Sequence, residues 1–203
     1  MTTNGPVTTM LLIRHAQTDA VDGWLAGREA VPLNQVGRAQ AERLGHRLRT
    51  VNIAAVYSSP LDRALETAAG FAHERGLPVE PRMDLIEVDF GAWSGAGFDR
   101  LAQDPAWLRF NRQRGLADVP GGERAPTVQA RIVRAMDELR IRHPNQTIAI
   151  VSHADVIRLA VLFAAGSPID FIHRFDISPA SVTCLDAGEH GITLKYVNAT
   201  GCQ

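Results

Sequence analysis

Three short apolar runs lie along the chain, and each has the length of a β-strand. They are rich in branched side chains, and a segment with helical spacing of its apolar residues follows each of them. Apolar strands that alternate with helices predict a parallel sheet covered on both faces. The runs are Met10 to Ile13, Ile53 to Tyr57 and Thr147 to Val151.

The segments after these runs are predicted to be helices. In the first, Leu44 and Leu48 recur at helical spacing. Before the second, Ser59 and Pro60 are predicted as the N-cap and the first helical residue, since serine caps helices and proline favours their first turn. The predicted helices span Asn34 to Arg49, Leu61 to Arg75 and Ala154 to Ala165.

The remainder of the chain adds a helix and a hairpin to this pattern. A helix is expected from Thr127 to Arg142, and Ser181 to Asp186 with Ile192 to Val197 are expected to form a closing hairpin around Gly188 and Gly191. The predicted fold class is therefore α/β, a three-layer αβα sandwich. Its central sheet is mostly parallel, with an antiparallel edge hairpin.

The stretch from about Gly91 to Pro126 differs from the rest of the sequence. It holds several glycines and prolines, two tryptophans and the basic run Arg109 to Arg114. We interpret it as an irregular, lid-like insertion around residues 91–126, because long connections without regular structure are usually functional loops. A chain of this size needs only one core, so residues 1–203 are expected to form a single domain.

Composition narrows the choice of partners. The chain has 203 residues, with 21 Lys+Arg against 22 Asp+Glu and a formal charge of −1. A dedicated nucleic-acid-binding protein carries a strongly basic surface, so no nucleic acid is expected here and a small ligand is favoured.

The cysteines and the hydropathy bear on the cellular setting. Cys184 and Cys202 have no metal-like spacing and no companion histidines, so neither a zinc site nor a disulfide is expected, and a reducing, cytoplasmic setting fits best. No signal peptide is recognisable between Met1 and Met10. The apolar segment Val156 to Ala165 contains Arg158 and is too short to span a bilayer, so no membrane association is expected.

Basic side chains follow all three apolar runs. The first run ends in Arg14 and His15, the second leads to Arg63 within one helical turn, and the third ends in Ser152 and His153. Ligands of parallel α/β sheets bind beyond the carboxyl ends of the strands, so these side chains are expected to converge. The remaining histidines are interpreted as surface or core residues: His46, His73, His143, His173 and His190.

Two arginines and two histidines suit the recognition of a phosphoryl group, because guanidinium groups and helix N-termini donate to its oxygens. Positive neighbours disfavour the protonated form of His15, which should therefore be neutral and able to attack phosphorus. The leaving alcohol needs a proton, and Glu87 with a raised pKa is the candidate acid. No metal or other cofactor is expected.

Six short blocks carry a family resemblance. They are Arg14-His15-Ala16 with Gln17-Thr18; the stretch through Gly27, Pro32, Leu33, Gly37, Gln40 and Ala41; Ser58 to Thr67; Glu87 to Gly95; Pro120 to Glu123; and Val151 to Ala154. In this order they resemble the histidine phosphatase superfamily, also called phosphoglycerate mutase-like, and its phosphatase branch more than its mutases. Six blocks over nearly the whole chain make the resemblance specific.

The resemblance implies roles that agree with the chemistry above. It implies that His15 becomes phosphorylated, that Arg14, Arg63 and His153 hold the phosphoryl group, and that Glu87 is the acid. These five residues are the expected catalytic set.

The resemblance also implies further substrate contacts, which are Thr18, Gly27, Arg28, Glu123 and Ala154. Arg28 is included because the equivalent loop of the family lies beside the pocket. Glu123 either reaches the substrate or organises the two arginines.

The sequence departs from the family pattern at a few positions. Alanine replaces glycine at Ala16 and Ala154, and each adds a methyl group close to the phosphate. Val21 stands where the family commonly has an asparagine that contacts phosphate, and Ser94 replaces a common glutamate.

Three functions are compatible with these residues. The leading one is a phosphomonoester hydrolase of the histidine acid phosphatase type that acts on a small phosphorylated metabolite through a phosphohistidine. The alternative is a cofactor-dependent phosphoglycerate mutase, and a non-catalytic phospho-ligand-binding module is the third. Hydrolysis is favoured because the Asn-Lys pair of the mutases is absent after the acid block and the insertion is short.

Two features leave alternatives open. Trp24, Trp93 and Trp107 either line the substrate pocket or simply pack. Arg109, Arg112 and Arg114 either hold a second anionic group or form a solvated basic face. The residues indicate neither the substrate nor the oligomeric state.

Overall fold

The computed structural model describes residues 5–21 and 23–201. Within these ranges six strands form one sheet in the order β3-β2-β4-β1-β5-β6. The strands are β1 (Thr8–Arg14), β2 (Ile53–Ser58), β3 (Val79–Pro81), β4 (Thr147–Ser152), β5 (Val182–Gly188) and β6 (Gly191–Ala199). The α-helices are α1 (Gln35–Leu48), α2 (Asp62–Ala72), α3 (Phe98–Leu101), α4 (Pro105–Arg112), α5 (Ala125–Arg142) and α6 (Ala154–Ala164).

The sheet combines parallel and antiparallel pairs. Strands β1, β2, β3 and β4 pair in parallel, whereas β5 runs antiparallel to both β1 and β6. The predicted mostly parallel sheet with an antiparallel edge hairpin is thus confirmed.

Two apolar clusters cover the two faces of the sheet. Along β1, Met10 and Leu12 face the cluster that includes α5 and α6, whereas Leu11 and Ile13 face the cluster that includes α1 and α2. Successive strand residues point to opposite faces, so an unbroken apolar run is what a doubly covered strand requires. The three-layer arrangement follows from this pattern.

The beginning of α2 corrects the sequence prediction. The helix starts at Asp62 with Leu61 as its N-cap, so Ser59 and Pro60 are not the cap and first residue. The backbone N–H of Ser59 instead donates to the carbonyl of Val151 at 2.8 Å, which keeps the chain extended beside β4. The Ser59 hydroxyl accepts only a long hydrogen bond of 3.4 Å from the backbone N–H of Leu61, which leaves it able to make a second contact.

Smaller differences concern element ends. The helix predicted from Thr127 begins at Ala125, because Pro126 is accommodated in its first turn. Strand β3 was not predicted, and its three residues are too few to produce a recognisable pattern. After α2 the chain continues only as a short 3₁₀ turn over His73–Arg75.

The stretch 91–126 is more regular than expected. It contains α3 and α4, and the carboxylate of Asp104 caps α4 by accepting from the backbone N–H of Ala106 at 2.8 Å. Trp93 and Trp107 stack edge to face with ring centroids 5.3 Å apart, and Phe110 packs against both. These two tryptophans therefore pack within the insertion.

Some predictions fall partly outside the described residues. Cys184 is buried and not disulfide-bonded, whereas Cys202 and residues 1–4 lie outside the described ranges. Among the helices that the structure describes, none combines the length and apolar character needed to cross a membrane.

The close approach of α1 to the loop after β1 gives a testable consequence. A Cβ atom on Gly37 would overlap the carbonyl oxygen of Gln17, so Gly37→Ala must push the helix away from that loop. We expect a loss of about 1–3 kcal/mol in the free energy of unfolding, measured by urea titration.

The matched control is Gly115→Ala, whose new Cβ would lie 3.5 Å from Asp170 Oδ1, an ordinary contact. It should change the free energy of unfolding by less than about 0.5 kcal/mol. Equal stability of the two variants would contradict the proposed packing.

Candidate active site

The three strand ends meet, as the sequence predicts. His15 directly follows β1, and its backbone N–H donates to the carbonyl of Ser152 in β4 at 2.9 Å. The imidazole rings of His15 and His153 lie with their centroids 5.1 Å apart. A cavity of about 120 Å³ at this edge is lined by Arg14, His15, Arg63 and Glu87 among others.

The orientation of His15 is set by one hydrogen bond. Its Nδ1 lies 2.7 Å from the carbonyl oxygen of Ala16, and a carbonyl only accepts, so Nδ1 carries the proton. Burial, together with the positive charges of Arg14 and Arg63, holds the pKa of the His15 imidazole well below its usual range. His15 is therefore neutral at pH 7, with an unprotonated Nε2.

Thr67 ties the loop after β1 to α2. Its hydroxyl accepts from the backbone N–H of Ala16 at 2.9 Å and donates to the carbonyl of Arg63 at 2.6 Å. Thr67 was not predicted as a site residue, although it is the last residue of the matched block that begins at Ser58.

The two predicted arginines are anchored by backbone carbonyls. Arg63 is 2% exposed and donates to the carbonyls of Gly27 at 2.6 Å and Glu29 at 3.0 Å. Arg14 donates from Nη1 to the carbonyl of Ile177 at 2.7 Å, and its buried Nε has no partner among the described residues. Carbonyl acceptors fix the guanidinium planes without neutralising their charge.

His153 lies behind the pocket wall. It is fully buried and is not among the residues that line the cavity. Its Nε2 is 2.7 Å from Ser59 Oγ, which explains why Ser59 does not cap α2. Its Nδ1 is 3.9 Å from Glu87 Oε2, so the predicted contact with a phosphoryl oxygen requires a shift of Glu87 or of the ring.

Glu87 has the protonation behaviour expected of an acid. Burial, reinforced by the negative charge of Asp155, raises the pKa of the Glu87 carboxyl to about 7. Its Oε1 accepts from the backbone N–H of Val88 at 2.8 Å. The Glu87 carboxyl therefore keeps its proton to a higher pH than an ordinary glutamate does.

Two further arginines hold the backbone of Glu87. Arg28 donates from Nε to the Glu87 carbonyl at 3.0 Å, and Arg131 donates to the same oxygen at 3.1 Å. Glu123 Oε2 bridges the two guanidinium groups, at 2.7 Å from Arg28 and 3.2 Å from Arg131. We call these three side chains the Glu87 clamp.

The clamp changes the interpretation of two predicted substrate contacts. Arg28 and Glu123 do not line the cavity, and no hydrogen bond or ion pair joins Glu123 to Arg14 or Arg63 in the described part of the chain. Arg131 was not predicted, because a basic residue in the middle of a helix has no local signal of its role.

Of the other predicted substrate contacts, some line the cavity and one does not. Thr18 and Gly27 line the cavity, whereas Ala154 is the first residue of α6 and packs against the apolar cluster beneath the sheet. Trp24 also lines the cavity, unlike Trp93 and Trp107. The structure thus brings together most, but not all, of the predicted set.

A second cavity lies apart from the predicted site residues. A larger cavity of about 740 Å³ lies between α1 and residues 178–180, but none of the predicted site residues lines it. Within residues 5–21 and 23–201, no group of three or more His, Cys, Asp and Glu side chains is placed to hold a metal ion.

Comparison with known proteins assigns the family. Residues 10–200 match the histidine phosphatase superfamily (branch 1), and the chain belongs to this superfamily. It is similar to the bifunctional protein Rv2228c of Mycobacterium tuberculosis, with 34% identity over 97% of this chain and 55% of that protein. The chain therefore spans about half the length of this relative.

Other similar proteins match over nearly their whole length. Phosphoserine phosphatase 1 of Hydrogenobacter thermophilus is 28% identical over 94% of this chain and 92% of its own. The solved structure of Bacillus stearothermophilus YhfR is 31% identical, covers 95% of this chain and 97% of that chain, and superposes with a TM-score of 0.90. The relatives thus include phosphatases.

The protonation of Glu87 can be measured directly. Carbon-13 NMR of labelled glutamate should show one carboxyl with a midpoint near pH 7, because burial disfavours its charged form. Glu138 offers an internal comparison, since hydrogen bonds from Arg82 lower the pKa of its exposed carboxyl. Glu87→Gln identifies the signal, and a Glu87 midpoint below about pH 5 would be close to the ordinary value and contradict the site described above.

Proposed function

We propose that this chain hydrolyses small phosphomonoesters through a phosphohistidine at His15. The observation that carries the proposal is the hydrogen bond from Nδ1 of His15 to the Ala16 carbonyl. It leaves the Nε2 lone pair on a neutral ring that lines a cavity with Arg14 and Arg63. Such a ring is a nucleophile for phosphorus in a site whose cations offset the charge of the phosphoryl oxygens.

In the first step, Nε2 of His15 attacks phosphorus while the bond from phosphorus to the ester oxygen breaks. Arg14 and Arg63 donate to the non-bridging oxygens, and His153 becomes a further donor from Nδ1 once Glu87 or the ring has shifted. The departing oxygen keeps the electron pair of the broken bond and takes the proton of Glu87. The alcohol leaves, and Glu87 becomes a carboxylate.

In the second step, water attacks the phosphohistidine and the bond from phosphorus to Nε2 breaks. The Glu87 carboxylate accepts a proton from the water, which restores the acid for the next cycle. The electron pair returns to Nε2, so His15 regains its starting state and inorganic phosphate leaves.

The positions of other cations favour hydrolysis over the mutase alternative. A mutase needs cations for a carboxylate and a second phosphate, yet buried Arg114 is paired with Asp155 at 2.7 Å. Arg109 and Arg112 line a separate surface depression beside α4. Arg28 is engaged in the Glu87 clamp. The non-catalytic alternative is disfavoured because the nucleophile and the acid are both present.

Trapping the intermediate tests the nucleophile. His15→Ala should lower turnover by at least about a thousandfold, since the covalent step disappears. Wild-type protein quenched during turnover of a labelled substrate should carry acid-labile, base-stable phosphate at residue 15. The matched control is His46→Ala, which removes an exposed histidine of α1. Phosphate that persists in His15→Ala would contradict the assignment.

The acid role of Glu87 predicts a dependence on the leaving group. Glu87→Gln should reduce kcat/KM for an alkyl phosphate by about 100-fold or more, and far less for p-nitrophenyl phosphate, whose leaving group needs little protonation. In the wild type, kcat/KM for the alkyl phosphate should fall as pH rises through about 7, because Glu87 then loses its proton. Equal losses on both esters would indicate that Glu87 only positions other groups.

A further inference from the structure

We infer that the organic group of the substrate is small, uncharged and apolar; this inference rests on the proposed hydrolysis. The wall of the active-site cavity has two halves of different chemistry. Its polar half consists of Arg14, His15, Thr18, Arg63 and Glu87, and all of these except Thr18 act on the phosphoryl end in the proposed mechanism. Its other half is apolar; besides Gly27 and two alanines, it includes Val21, Trp24, Leu25, Phe90 and Phe98.

Backbone hydrogen bonds hold the apolar half together. Residues 23–25 are joined to residues 95–98, with Leu25 N–H donating to the carbonyl of Ala96 at 2.9 Å and Gly95 N–H donating to the carbonyl of Leu25 at 2.8 Å. Trp24 and Gly97 form an isolated antiparallel bridge. The apolar surface is therefore part of the fold around the site.

The apolar half exposes aromatic surface toward the ligand. Phe98 is 39% exposed, although phenylalanine is usually buried, and Trp24 is half-buried in the same cavity. Covering this surface with an apolar group removes both partners from water, which is favourable. A carboxylate or ammonium placed here would lose water without gaining a partner.

The cations that could recognise a charged substrate lie elsewhere. Among the residues that the structure describes, the only charged side chains lining the cavity are Arg14, Arg63 and Glu87. Arg28 and Arg114 are paired with carboxylates at 2.7 Å. A substrate such as phosphoserine, with a carboxylate and an ammonium group, therefore lacks counter-charges here. Asp22 lies outside the described residues, and phosphoethanolamine, a cationic ester, tests for an acidic contact to the organic group.

The size of the cavity favours a small organic group. Its volume of about 120 Å³ is well below the roughly 300–1,000 Å³ of sites for drug-sized ligands. One ring or a short alkyl chain matches this volume better than a nucleotide does.

The experiment compares phosphate esters of primary alcohols, so that differences in leaving-group basicity stay small. Benzyl phosphate is the apolar probe, and phosphoserine, glycerol 3-phosphate and phosphoethanolamine are the charged or hydroxylated probes. We expect kcat/KM for benzyl phosphate to exceed each of the others by at least about tenfold, from burial of the ring. A preference for any of the other three would overturn the inference.

Two variants test whether the apolar half of the cavity causes the preference for benzyl phosphate. Phe98→Ala should reduce the ratio of kcat/KM for benzyl phosphate to that for methyl phosphate by about fivefold or more, through loss of ring burial. Phe163→Ala removes a similarly exposed phenylalanine, 48% exposed on α6 and outside the cavity, and should leave that ratio unchanged. An unchanged ratio in Phe98→Ala would overturn the role of the apolar half.

The binding of phosphonates that cannot be hydrolysed tests the inference independently of the proposed hydrolysis. Benzylphosphonate cannot be hydrolysed, and calorimetric titration should show it binding at least about tenfold more tightly than the phosphonate analogue of phosphoserine. If this order holds while no ester releases phosphate, the proposed function fails and the inference about the wall stands. If esters are hydrolysed but the order is reversed, only the inference fails.

Discussion

Burial of His15 beside two guanidinium groups is the constraint from which the chemistry of the site follows. Water would stabilise an imidazolium, but His15 is buried and faces the charges of Arg14 and Arg63, so the ring stays neutral. The same burial raises the pKa of Glu87 to about 7. The same site therefore combines a neutral imidazole with a carboxyl group of raised pKa, which are the nucleophile and the acid that the proposed mechanism requires.

Backbone geometry holds these charged groups in place. The parallel register of β1 and β4 pairs Arg14 with Ser152 and so brings the following histidines side by side. Carbonyl oxygens then fix the side chains: those of Gly27 and Glu29 orient Arg63, and that of Glu87 accepts from both arginines of the clamp. Because the carbonyls that hold Arg14 and Arg63 carry no net charge, these two arginines keep the positive charge that favours a phosphoryl group.

The sequence could predict what depends on local pattern and on strand topology. Unbroken apolar runs placed β1, β2 and β4, and the residues after them formed the candidate site. The roles of Ser59 and Arg131 depend on contacts with residues 94 and 44 positions away, which no local pattern contains. The sequence predicts Ser59 as a helix cap, since serine caps helices and proline favours their first turn. In the structure Ser59 lies in an extended segment, and its hydroxyl contacts His153 instead.

The stereochemical course at phosphorus tests the two-step account most directly. A phosphomonoester made chiral with three oxygen isotopes would be used as phosphoryl donor to an acceptor alcohol, and the configuration of the new ester would be determined. Two in-line displacements, first by His15 and then by the acceptor, invert phosphorus twice, so the account predicts overall retention. Overall inversion would show a single direct displacement and contradict a phosphohistidine intermediate.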